Sequence, residues 1–166
     1  IAEGMHHCVD VGCFGYAPPE KERYDKAVAA WMARRHHWNV SMDTCTQTTG
    51  VVTAMGIAIR ALTEPGDGVI IQTPVYPPFA GSVRNNGRTL IENPLKCVDG
   101  VYTMDFEDLE EKAAHAKMLL LCSPHNPVGR VWTEEELKKL GEICVKHSLF
   151  VLSDEIHFDL DYTGRH

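Results

Sequence analysis

No apolar run in this chain of 166 residues approaches the roughly 20 residues that cross a bilayer, so no membrane span is expected. No series of charged, apolar and small residues at the start resembles a signal peptide, and the chain reads as cytoplasmic. Clustered basic residues are also missing: 16 Lys and Arg stand against 23 Asp and Glu, a formal charge of −7. Nucleic-acid phosphates and anionic lipid both reward concentrated Lys and Arg, so neither is expected as a partner. The six cysteines contain no C-x-x-C pair, which argues against a zinc ribbon or a dithiol redox motif. The His6-His7-Cys8 and His36-His37 groups have no second pair at ligand spacing, and no metal site is expected. Low-complexity linkers and internal repeats are absent as well.

What remains is a globular composition with alternating periods. Tyr24, Ala27, Val28, Trp31 and Met32 recur at helical spacing between Pro19 and Arg35. A second helical face holds Val51, Val52, Met55, Ile59 and Leu62, and it ends at the breaker Pro65-Gly66-Asp67-Gly68. Val69-Ile70-Ile71 predicts a strand, Tyr76 to Asn86 a short helix, and Arg88 to Glu92 a short strand. Asp105 is placed to cap a helix holding Phe106, Leu109 and Ala113. Met118 to Cys122 is a continuous apolar run, as in a strand covered on both faces. Thr133 and Glu136 form a capping-box pattern before Leu137, Leu140, Ile143 and Cys144, and Leu149 to Leu152 repeats the buried-strand pattern. This rhythm predicts a three-layer α/β/α domain with a mainly parallel sheet.

Ligands of such sheets lie at the carboxyl ends of the strands. Three of the expected strand ends carry unusual chemistry: Gln72-Thr73-Pro74-Val75-Tyr76, Ser123-Pro124-His125-Asn126-Pro127 and Ser153-Asp154-Glu155-Ile156-His157. A fourth element, Thr48-Thr49-Gly50-Val51-Val52, places a glycine at a helix N-terminus, where free N–H groups and the dipole suit a phosphate. Singly, each has an ordinary reading: Tyr76 in the core, Asn126 in a turn, Asp154 as a helix cap, Gly50 in a tight turn. Together they predict an aromatic ring, an amide and a carboxylate over one crevice.

In that combination the chain resembles the fold-type I pyridoxal-phosphate enzymes of the class I/II aminotransferase superfamily. Within it, the words "GCFGY", "TPVYPPF", "CSPHNPVGRVW" and "SDEIH" resemble those of the carbon–sulfur β-lyases, the bacterial cystathionine β-lyases of the MalY/PatB type. The resemblance implies pyridoxal 5′-phosphate as cofactor. Asn126 would donate to its phenolic oxygen, Asp154 would face its pyridine nitrogen and Tyr76 would stack on its ring. The backbone of Gly50, Val51 and Val52 would cradle its phosphate, although Thr49 stands where relatives often have proline. Tyr16 matches a tyrosine that reaches the phosphate of the neighbouring subunit, so a homodimer is implied. His157 stands where many aminotransferases have tyrosine, which fits the lyase branch; the alternative is an ordinary histidine at a strand end.

The implied reaction takes L-cystathionine or another cysteine S-conjugate, an amino-acid substrate, to a thiol, pyruvate and ammonia. The alternatives are an aminotransferase on the same scaffold and, in another class, a non-catalytic binding or interaction fragment. The family's Schiff-base lysine is expected beyond His166, so no lysine of this chain is assigned to catalysis. Lys96 is read in a loop, Lys117 at a strand start and the others on helices. Starting at Ile1 and stopping at Gly164-Arg165-His166, the chain is expected to be a piece of something longer. Residues 1–49 would form an N-terminal, dimer-facing segment with its helix, and residues 50–166 part of the cofactor-binding large domain, with at least one strand of the sheet supplied by later sequence.

Overall fold

The computed structural model describes residues 1–12, 14 and 20–162. Contacts divide the chain into two units, Ile1–Cys45 and the part from Thr46 onward, each with its own organisation. In the first, helix α1 spans Ala2–Val11, helix α2 spans Lys21–His36, and a 3-10 turn covers Met42–Thr44. Neither α-helix buries a residue. The polar side of α2 is laced by Lys21–Asp25, Lys26–Glu22 and Arg23–Glu20 pairs at helical spacing, which support a helix without burial. The expected helix is therefore present, whereas α1 was not foreseen.

The second unit is built on a sheet. Helix α3 (Val51–Leu62) leads into strand β1 (Gly68–Ile71), helix α4 (Pro78–Asn85) and strand β2 (Thr89–Glu92). A hairpin of β3 (Lys96–Val98) and β4 (Val101–Thr103) precedes helix α5 (Phe106–Ala113), strand β5 (Met118–Cys122), helix α6 (Glu134–Lys146) and strand β6 (Phe150–Asp154). The sheet order is β2-β1-β5-β6, with every pairing parallel.

Side chains alternate across the two central strands, as a period of two requires. Val69, Ile71, Met118 and Leu120 pack on one face with Met55, Ile59, Phe79 and Val83 of α3 and α4. Ile70, Leu119 and Leu121 pack on the other with Leu109 and Ala113 of α5 and Leu140, Ile143 and Cys144 of α6. Each of these burials contributes about 1.5–3 kcal/mol for a large aliphatic side chain. The result is the expected three-layer α/β/α arrangement.

Helix ends follow their sequence signals. The Asp105 carboxylate accepts the Asp108 N–H at 3.2 Å. At α6 the Thr133 hydroxyl accepts from the Glu136 N–H at 3.2 Å while the Glu136 carboxylate accepts from the Thr133 N–H at 2.8 Å.

One reading needs correction, and another meets the edge of the sheet. The apolar run from Leu149 to Leu152 was read as a buried strand; Leu149 packs on the α5 and α6 side and Leu152 on the α3 and α4 side. Phe150 and Val151 are exposed by 52% and 44% because β6 is last in the sheet order among the described residues, the edge where a strand from later sequence was expected. Lys96, read as loop, begins β3. The hairpin turns at Asp99-Gly100, both with positive φ (50° and 79°), the pairing a two-residue hairpin turn favours.

Gly68 opens β1 where a Cβ would lie 2.3 Å from the His115 carbonyl oxygen and 2.6 Å from Ile91 Cδ1. Because the first obstacle is backbone, a Gly68→Ala variant should lose about 1–3 kcal/mol of stability. Urea denaturation measures this, and an unchanged midpoint would contradict the close approach.

Candidate active site

Parallel pairing sends the carboxyl ends of β1, β5 and β6 to the same edge of the sheet, and the register sets Asp154 beside Cys122. Beyond that edge, a cavity of about 420 Å3 opens, within the usual size of small-molecule sites. Gly50, Val51, Val52, Tyr76, Asn126, Asp154 and His157 all line it. These are seven of the eight residues singled out from the sequence. The eighth, Tyr16, lies outside the described residues. Thr53, Cys122 and Ile156 also line the cavity and were missed. Their signals were nevertheless present: Thr53 is the third residue of α3, Cys122 the last of β5, and Ile156 two positions past Asp154.

The N-terminus of α3 supplies donors. Its first intrahelical bond runs from the Ala54 N–H to the Gly50 carbonyl at 3.1 Å, so the N–H groups of Val51, Val52 and Thr53 have no acceptor within the helix. They carry the positive end of the helix dipole. Gly50 is extended (φ 162°, ψ 163°), a conformation open to any residue, and a Cβ added to it would meet nothing within 4 Å. The tight-turn reading of this glycine is therefore removed.

The turn after β5 is tied at several points. The His125 N–H donates to the Arg130 carbonyl at 2.8 Å, and the Gly129 N–H donates back to the His125 carbonyl at 2.7 Å. The Asn126 N–H points to Cys122 Sγ at 3.4 Å, and the Trp132 indole N–H donates to the Cys122 carbonyl at 3.0 Å. Arg130 forms a two-point pair with Glu136 at 2.7 and 2.9 Å, joining the turn to the capping box of α6. The peptide bonds Thr73-Pro74, Ser123-Pro124 and Asn126-Pro127 are cis, a point the sequence left open.

Asp154 is half-buried, not fully enclosed. Its carbonyl accepts the Ser123 N–H at 3.0 Å, and its carboxylate accepts the Ile156 N–H at 3.2 Å. It is the single carboxylate among the described residues lining the cavity, and no lysine or arginine joins it there. Burial pushes the neighbouring Cys122 thiol up from its ordinary value, so the thiol is neutral.

His125 is 1% exposed. Its Nε2 lies 3.0 Å from the Pro74 carbonyl oxygen, an acceptor, so Nε2–H donates, and Nδ1 has no partner. Burial, partly opposed by the Pro74 hydrogen bond, holds the imidazole below its ordinary value of 6.5. The unfolded chain therefore takes up the proton first as pH falls, and His125 withdraws stability below about pH 6.5 that is restored above it. The urea midpoint should drop on acidification more in the wild type than in His125→Gln; equal drops would contradict the assignment.

A parallel α/β sheet with a helix N-terminus, an aromatic ring, an amide and a carboxylate around one cavity defines a small-molecule site with provision for an anionic group. The model of the family "Aminotransferase class I and II" matches residues 9–164, and the chain belongs to that family. It is 49% identical over 166 residues to cystathionine beta-lyase PatB of Bacillus subtilis, covering 99% of this chain and 43% of that protein. Identity to protein MalY of Escherichia coli is 35% over 163 residues, covering 96% of this chain and 42% of that protein. Among solved structures, cystalysin from Treponema denticola, which contains pyridoxal 5′-phosphate, superposes with a TM-score of 0.89 at 47% identity, over 99% of this chain and 42% of its own. The chain thus spans about two fifths of the length of these relatives.

Proposed function

We propose that the whole protein is a cytoplasmic, homodimeric carbon–sulfur β-lyase that uses pyridoxal 5′-phosphate and acts on L-cystathionine or another cysteine S-conjugate. The observation that carries this reading is the meeting of seven family-matched residues on one cavity wall. Gly50 suits the fit: a Cβ added to it would meet nothing within 4 Å among the described residues, and a glycine there leaves the backbone open to close approach by a ligand. The name of the Bacillus protein, cystathionine beta-lyase, points to the same activity, and the pyridoxal 5′-phosphate of the Treponema structure to the same cofactor. The five described cysteines are all free, which suits a reducing compartment. No helix among the described residues is long and apolar enough to cross a membrane.

On this reading the amides at the start of α3 bind the phosphate, and the Tyr76 ring covers one face of the cofactor. The Asn126 side-chain amide donates to the phenolic oxygen. The Asp154 carboxylate holds a proton on the pyridine nitrogen, since a nearby negative charge favours the protonated form. The cofactor, when bound, supplies a sink for the electron pair left at the substrate α-carbon. Because no lysine lines the cavity among the described residues, we assign the lysine this chemistry requires to sequence beyond this span. Tyr16 is proposed to serve the site of the second subunit.

The test is release of pyruvate and a thiol from L-cystathionine by the whole protein, with no keto acid added. Asp154→Asn should lower kcat by about 10²–10³-fold. Turnover that requires a keto acid and yields no pyruvate would favour the second reading, transamination, which the family's description supports. Gly50→Ala should weaken cofactor binding while changing stability by less than about 1 kcal/mol. A variant that bound cofactor as tightly as the wild type would remove the argument from Gly50.

A further inference from the structure

His125 stands next to Asn126 in the chain, but its ring does not share the role proposed for that residue. It reaches across the sheet edge to the Pro74 carbonyl, 51 positions away in sequence, with Nε2 at 3.0 Å. Pro74 is two residues before Tyr76. The ring therefore bridges the two loops that bring Tyr76 and Asn126 to the cavity lining.

The far side of the ring is equally constrained. Trp132 packs edge-on to it, with centroids 5.4 Å apart and planes at 85°. The Arg130 guanidinium lies 4.9 Å from the Trp132 ring centroid and is held in turn by Glu136 of the α6 capping box. A continuous path of contacts thus runs from the start of α6 through Arg130, Trp132 and His125 to the Tyr76 loop. A residue placed for packing alone would need neither a polar edge nor a donor aimed at a specific carbonyl. His125 is also fully enclosed with Nδ1 unpartnered, a cost that a leucine or phenylalanine would avoid.

We infer that His125 is a positioning residue: its Nε2–H bond to the Pro74 carbonyl sets the Tyr76 and Asn126 loops relative to each other and so fixes the groups that hold the cofactor ring. The inference rests on the reading of the cavity as the pyridoxal-phosphate site, and its test separates the two.

Two variants of the whole protein distinguish positioning from packing. His125→Phe keeps a ring against Trp132 but removes the donor, whereas His125→Gln keeps a donor at about the reach of Nε2. Hydrogen exchange at the amides of Phe79, Asn126 and Gly129 reads the loops without any cofactor. Equilibrium dialysis of pyridoxal 5′-phosphate, with the circular dichroism of its absorption band, reads the site. His125→Phe should speed exchange several-fold in both loops, raise the dissociation constant about fivefold to tenfold and alter the band. His125→Gln should recover all three. Faster exchange at Asn126 and Gly129 alone, with Phe79 unchanged, would overturn the inference, as would a glutamine variant no better than phenylalanine. A wild type that bound no cofactor would sink the cavity reading, while the exchange data would still decide for or against the bridge between the loops.

Discussion

Everything at the cavity depends on the parallel pairing of β5, with β1 on one side and β6 on the other. Parallel strands deliver all their carboxyl ends to one edge, and a crossover helix between them leaves each following loop free to carry chemistry. The register of β5 on β6 then puts Cys122 and Asp154 side by side. An antiparallel β6 would send Asp154 to the opposite edge. The apolar alternation of Val69 to Ile71 and Met118 to Leu121, buried on both faces, is therefore what fixes the electrostatics of the site.

Around that edge the cavity is assembled from unlike contributions that need each other. The α3 N-terminus offers N–H groups and positive potential, Asp154 offers a carboxylate, and Tyr76 and Asn126 come from loops with no regular structure of their own. Such loops are precise only if something ties them. Here the ties are the backbone bonds within 125–130, the Arg130–Glu136 pair and the His125 bond to Pro74. The polar network behind β1, in which Gln72 donates to Asn93 at 3.2 Å and Asn93 donates to Asp108 at 2.7 Å, holds the root of the Tyr76 loop from the other side.

Much of this was legible in the sequence because strand ends and helix starts have local signals. Gly50 opens the periodic segment of α3, and Tyr76, Asn126, Asp154 and His157 each stand at or just past a strand end, the positions where an α/β sheet places ligands. What was missed has weaker signals or none. Helix α1 and its N-cap carry Ile1, Met5, Cys8 and Val9 at helical spacing, a short stripe that the reading passed over and that buries nothing. The three-residue strands β3 and β4 are too short to show alternation, although Asp99-Gly100 marked their turn. The place of β6 in the sheet order is encoded by no local pattern. His125 was read only as part of a motif, because its meaning lies in a partner on another strand end.

A single cofactor site at the carboxyl edge of the sheet is tested by titrating the 15N-labelled protein with pyridoxamine 5′-phosphate, which has no aldehyde to react with surface amines, and following amide chemical shifts. The amides of Val51, Val52 and Thr53 and the side-chain amide of Asn126 should move together and saturate together, and Asp154→Asn should weaken the response. Shifts confined to other surfaces, or a response at α3 that leaves Asn126 unmoved, would contradict a single cofactor site at the carboxyl edge of the sheet.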